Sequence, residues 1–180
     1  NAGFLNDLKN NTIDGLAIQQ YQNLFHQTIG QLNKQTSESI EIFKVGLSNL
    51  VPLTTTFSAT TLSNDMKKIA EVISVRNFLG AKRQTFFVTF GGWDHHDDVL
   101  TNQNNMLPVL SNALYEFNNA MTELGMQDDV VTFTISDFAR TLTSNGNGSD
   151  HAWGGNNIIM GGPIQGQQIF GDYPSLNLTS

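Results

Sequence analysis

Residues 91–98 read GGWDHHDD, and within them Asp94, His95, His96, Asp97 and Asp98 put three carboxylates and two imidazoles in consecutive positions. Carboxylate oxygens and imidazole nitrogens together are the ligand set of zinc, manganese and similar divalent ions. Such an ion polarises an ester oxygen or activates a water. Two later stretches carry the same chemistry. Ser136-Asp137-Phe138-Ala139-Arg140 holds an acid and a guanidinium, and Gly148-Ser149-Asp150-His151 pairs an acid with an imidazole on a glycine-rich segment.

The elements that must position these groups can be read from the pattern. The apolar run TFFVTF (85–90) precedes the first cluster and reads as a strand buried on both faces. DDVVTFTIS (128–136) reads as a second strand running into Asp137, and NIIMGG (157–162) as a third. Between the first two, Leu107, Leu110, Leu114, Phe117, Met121 and Leu124 recur at helical spacing over about 102–124, closed by Gly125, with Pro108 expected in the first turn. Strand, helix, strand implies a right-handed crossover and parallel pairing. The two acid-bearing strand ends would then lie side by side at the carboxyl edge, where open sheets bind ligands. SNGNGSDHAWGGN (144–156) reads as a loop able to fold back onto them. Upstream, Met66, Ile69, Ala70, Val72, Ile73 and Phe78 mark a helix over 63–80 that opens on cap residues and closes at Gly80. VPLTTTFSATT (51–61) is a loop. Two helices are expected before it, one carrying the stripe Ile13, Leu16, Tyr21, Leu24, Phe25, Thr28, Ile29 and Leu32, the other over about 37–49.

Each site residue has a plainer alternative. Asp94 and His96 could cap the following helix, and Asp97 and Asp98 suit a helix N-terminus through the dipole. His95 is expected to face solvent or stack. Asp137 could be an N-cap. Arg140 could pair with Asp137 or hold a phosphate or sulfate anion. Asp150 and His151 could sit in a surface turn. Ser136 lacks a nucleophile-elbow sequence and is expected to be structural. Trp93 and Trp153 are core residues by default, or an aromatic wall for a sugar ring.

Composition narrows the function classes. The 180 residues are 39% apolar and 14% charged, with a net charge of −7, enough for one globular core. The acidic balance (pI about 4.8) argues against nucleic acid. No run of apolar residues is long enough to span a membrane. The absence of cysteine excludes disulfides and thiolate ligands within the chain. It opens on Asn1 and ends in NLTS. Two or three strands fall short of the five or six typical of a sheet, so a piece of a larger domain is expected.

The runs FVTFGGWDHHDD and VVTFTISDFARTLTSNGNGSDHAWGGNNIIMGGPIQGQQIFGDYP resemble the family called domain of unknown function 1501, typified by GGWDTH, SEFGRT and GTDHG segments and a closing GG…VYGxYP. The likeness covers about 62 to the end. It implies a sulfatase-like scaffold of the alkaline-phosphatase superfamily, in which similar Asp/His sets hold one or two divalent metals. Asp94 and His96 match the first motif, with His95 in place of Thr. Asp137 stands where the family has Glu, and Ala139 replaces the glycine before Arg140. Asp150 and His151 match the third motif, and Ala152 replaces its glycine. The superfamily's Ser, Thr or formylglycine nucleophile has no counterpart here.

The expectations are therefore definite. The fold is α/β, a partly parallel sheet flanked by helices, with a helical segment 1–61 packed on a sulfatase-like core 62–180. The function is metal-dependent hydrolysis of sulfate or phosphate esters, with a small molecule or glycan ester as substrate and zinc, manganese or calcium as cofactor. Asp94, His96, Asp137, Asp150 and His151 would be metal ligands, with Asp137 and Arg140 catalytic. An exported protein is expected. The rival is a catalytically inactive module of the same fold that binds carbohydrate or a partner protein.

Overall fold

The computed structural model describes residues 5, 7–9, 11–13, 15, 24–172 and 175. The chain divides into two compact units, Asn1–Val51 with Val75–Arg83, and Pro52–Ser74 with Gln84–Ser180. Helix and strand are mixed, as expected, but the strands are few and short.

In the first unit one unbroken helix, α1, covers Leu24–Ser48, and the described residues of 5–15 are helical as well. Two helices were expected here. Residues 33–36 (Asn-Lys-Gln-Thr) contain neither Gly nor Pro, so nothing interrupts the turn-to-turn ladder. Ile13 is helical, whereas Leu16 and Tyr21 of the expected stripe lie outside the described residues. The C-terminus of α1 is closed by Asn49, whose side-chain amide donates to the Val45 carbonyl at 2.7 Å. Buried Gly46 lets α1 meet the segment after residue 75, since a Cβ there would stand 3.1 Å from both Phe78 and Leu79.

In the second unit α2 covers Thr61–Ser74. Thr60 is its cap: the Thr60 hydroxyl accepts the Ser63 N–H at 3.1 Å, so the helix starts ahead of the expected position. It also stops early. Residues 75–80 are turns that end in a Schellman closure, with Ala81 N–H on the Arg76 carbonyl and Gly80 N–H on that of Asn77. Gly80 sits at φ +63, so its reading as a stop residue holds.

Helix α3 spans Val99–Glu123 and ends in the same closure at Gly125, φ +64, with Met126 N–H on the Met121 carbonyl. Pro108 lies inside α3, not in its first turn, because Val99 already begins the helix by donating to the Asn147 carbonyl at 3.2 Å. The core is the contact between these two helices. Leu62, Met66, Ala70 and Ile73 of α2 face Ala113, Leu114, Phe117, Ala120 and Met121 of α3. Ala70, Ala113 and Ala120 are completely buried and let the backbones approach. Each buried Leu, Ile, Phe or Met contributes roughly 1.5–3 kcal/mol. Leu53, Phe57, Val88, Phe90, Val130 and Met160 pack around this centre.

The sheet differs most from expectation. Four strands are formed among the described residues: β1 (Thr132–Phe133), β2 (Ala139–Ser144), β3 (Ser149–Ala152) and β4 (Ile159–Met160). β1 pairs antiparallel with β4, Thr132 opposite Met160. β2 pairs antiparallel with β3, Ala139 opposite Ala152 and Arg140 opposite His151. Residues 85–90 carry no strand pairing among the described residues, so the parallel ladder between them and 128–136 is not formed. The run is held by side chains instead, Val88 and Phe90 against the helix core, while Phe87 is 78% exposed. The expected loop 144–156 is largely the β2–β3 hairpin, and Asn145-Gly146 supplies its turn, with Gly146 at φ +108.

Candidate metal centre

The site is built where the β2–β3 hairpin meets residues 93–98. The hairpin turn is pinned by its own side chains. Asn145 Oδ1 accepts the N–H groups of Gly148 at 2.7 Å and Asn147 at 3.2 Å, and its amide donates to the His96 carbonyl at 3.1 Å. Gly148 is buried against that segment. A Cβ on it would lie 2.2 Å from the His96 oxygen, so only glycine permits the approach. This latch carries β3, and with it His151, to the 94–96 segment.

Three of the expected residues converge. His96 Nε2 lies 3.0 Å and His151 Nε2 2.6 Å from Asp94 Oδ1. The ligand atoms of Asp94, His96 and His151 all fall within 4.8 Å of one another. In tetrahedral zinc sites with bonds of about 2.0–2.1 Å, neighbouring ligand atoms stand about 3.3 Å apart. Two nitrogens and a carboxylate oxygen at 2.6 and 3.0 Å therefore fit a small divalent ion after a slight opening. Three protein ligands would leave a coordination position for water or substrate.

Around them stands an orienting shell. His96 Nδ1 lies 3.4 Å from Asp150 Oδ1, where a carboxylate can help orient a metal-binding ring. Phe138 stacks on His151 with centroids 4.4 Å apart and planes 19° from parallel. Arg140 resolves its two sequence alternatives in a third way. It pairs with Asp94 at 2.7 Å rather than with Asp137. It also donates to the carbonyls of Trp93 at 3.2 Å and of Ser149, and its guanidinium lies over the Phe138 ring. Arg140 thus ties the hairpin to the 93–94 segment and aims the Asp94 carboxylate. The hydrogen bond with His151 first, then that with Arg140, outweighs an opposing desolvation and holds the Asp94 carboxyl below the usual carboxylate range. Asp94 is therefore ionised at neutral pH, as a ligand must be.

Asp137 is not part of this group. It is exposed in the bend before β2, where the Ser136 hydroxyl donates to the Phe138 carbonyl at 2.7 Å. His95 turns away from its neighbours. It is only 5% exposed, tilted against Trp93, and neither ring nitrogen has a hydrogen-bond partner among the described residues. Of the two positions expected for it, facing solvent or stacking, the ring contact with Trp93 is the one formed; a tight turn, His95 N–H on the Trp93 carbonyl at 2.9 Å, accompanies it. Asp98 precedes α3 in the left-handed region, φ 48, and makes no side-chain cap bond. Trp153 is 84% exposed and is not a core residue.

Phe138, Asn145 and Gly148 were not singled out by sequence. The Asn-Gly pair at 145–146 was the available signal for the hairpin, and a hairpin there would have faced Arg140 with His151. No membrane-spanning helix is found among the described residues. Comparison with curated proteins and with solved structures finds no significant match. The family model described as protein of unknown function (DUF1501) matches residues 12–179, and the chain belongs to that family.

Proposed function

We propose that this chain carries the metal centre of a metal-dependent hydrolase of sulfate or phosphate esters, on a sulfatase- or alkaline-phosphatase-like scaffold. The observation that supports it most is the meeting of Asp94, His96 and His151 at one point from segments more than fifty positions apart in the chain. Zinc or manganese suits the donor set better than calcium, which prefers six to eight oxygens. A bound ion would polarise the ester oxygen and favour hydroxide from water. The chain's own residues prepare that chemistry. Asp94 is kept ionised by His151 and Arg140, His96 is oriented by Asp150, and His151 is held in plane by Phe138. Asp150 acts in this reading as an orienting group. Asp137, exposed in its bend, is left as an acid or base available to bound substrate. The proposal also has the full-length protein exported, which fractionation of the host cell tests.

One observation favours the rival reading. The Arg140 guanidinium is committed to Asp94 and two carbonyls and is not turned toward an incoming anion. An inactive module that binds metal or glycan would look the same. Metal analysis of the full-length protein decides the first point: one divalent ion per site is expected, lost in His96→Ala and His151→Ala. No stoichiometric ion, or unchanged content in both variants, removes the proposal. Turnover of aryl sulfates or aryl phosphates with added zinc, manganese or calcium then separates hydrolase from module.

A further inference from the structure

A second polar site lies in the same unit, independent of the metal reading. Asn112, Tyr115, Glu116 and Asn119 share one face of α3 and form one wall of a cleft of about 530 Å³; Thr55, Thr56 and Ser58 form the other. Ligand pockets span roughly 300–1,000 Å³. We infer that this cleft binds a neutral saccharide, the Tyr115 ring against a sugar face and the amides of Asn112 and Asn119 and the Thr56 hydroxyl on its hydroxyl groups.

The walls are prepared in advance. Glu123 accepts the N–H groups of Thr54 at 2.7 Å and Thr55 at 2.8 Å, and the Thr55 hydroxyl at 2.6 Å. Glu116 Oε1 accepts the Ser58 N–H at 3.0 Å and the Ser58 hydroxyl. The 54–58 segment is thereby clasped to α3 at two points, so little ordering remains to be done on binding. Tyr115 is 66% exposed, a large apolar face presented to solvent. The lining contains no Lys, Arg or His, and its one charge is negative, which disfavours phosphate or sulfate. One flat ring with two amides and a hydroxyl lining the same cleft suits a molecule with an apolar ring face and a hydroxyl rim.

The test uses the full chain with chelator present, so that any metal site is silent. Glucose, galactose, N-acetylglucosamine, cellobiose, lactose and chitobiose are followed by saturation-transfer NMR and calorimetry. At least one is expected to bind saturably at millimolar concentration. Tyr115→Ala should weaken it about tenfold, the upper range for one aromatic face, and Tyr115→Trp should restore it. Asn119→Ala should weaken it too, and Asp94→Asn should leave it unchanged. Tyr115 is exposed, so its removal spares the fold. No saturable binding by any of the six sugars overturns the inference. So does sugar binding indifferent to Tyr115→Ala, or saturable binding of spermidine alone, which would make the cleft a cation site.

Discussion

The α2–α3 contact and the candidate metal centre are held together by opposite means. Between the helices lie Leu62, Met66, Ala70, Ile73, Leu114, Phe117 and Met121, all at most 8% exposed, joined by apolar burial that has no direction and depends on area. At the centre, the side chains of Asp94, His96 and His151 are 56%, 50% and 48% exposed and are joined by hydrogen bonds and charge. Such contacts add little to stability where water competes, yet they fix geometry. One region sets whether the chain folds, and the other what the folded chain can hold. The Asn145–Gly148 latch connects the second to the first, because it also starts α3 through Val99 and Asn147.

The contrast can be broken first at its strong end. Phe117→Ala empties the middle of the helix contact and should cost about 3–5 kcal/mol, enough to lose the cooperative transition in thermal unfolding followed by circular dichroism. Retention of a sharp transition near that of the parent would show that the core lies elsewhere.

Gly148→Ala comes next. The added Cβ meets the His96 carbonyl, and overpacking of this kind costs about 1–3 kcal/mol. Helical signal should persist while zinc affinity falls, since the hairpin must swing His151 off Asp94. Equal loss of both would mean that the latch is part of the core.

A third measurement sharpens the difference within the site. His151→Ala removes a ligand, and Asp150→Asn alters only the partner of His96. Zinc affinity by competition with a chelating dye should fall roughly 10–100-fold for Asp150→Asn, the usual range for an outer partner, and further for His151→Ala. The midpoint of thermal unfolding of the metal-free protein should stay near the parent's in both. A larger loss for Asp150→Asn would make Asp150 a ligand.

The smallest effect concerns acid. The hydroxyl and N–H of Thr55 and the N–H of Thr54 hold Glu123 down to about 2 from its ordinary 4.5. A depressed carboxyl stabilises above its unfolded value, so this contribution is complete above about 4.5 and is lost as pH falls toward 2. Glu123→Gln should flatten the fall of the thermal midpoint between these limits, and an unchanged slope would place the acid sensitivity on other carboxylates. Glu116 is lowered as well, the Ser58 hydrogen bonds and nearby Ser63 outweighing its burial.

The helices were legible because their information is local. Leu110, Leu114, Phe117, Met121 and Leu124 repeat every three or four positions, and Gly80 and Gly125 end their segments at positive φ, as the residue type suggests. The start of α3 was misplaced because a tertiary hydrogen bond from Val99 to Asn147 sets it, and Pro108 was misplaced with it. The strands were misread for a related reason. TFFVTF has the composition of a strand, but a ladder needs a partner, and composition cannot name one. Val88 and Phe90 are satisfied by packing on the helix core, and Phe86 and Phe87 are left exposed.

The site divides along the same line. Sequence by itself determined the family, the apolar faces of the two core helices, and the supply of carboxylate and imidazole in GGWDHHDD and GSDH, because covalent chemistry is written in residue type. Only the tertiary structure decided which of those groups meet. It brought His151 to Asp94 and His96, set Asp150 behind His96, turned His95 inward, left Asp137 outside, and spent Arg140 on Asp94. The reason is that convergence depends on a hairpin register and on one glycine approaching a distant carbonyl, and neither is encoded near the residues it positions.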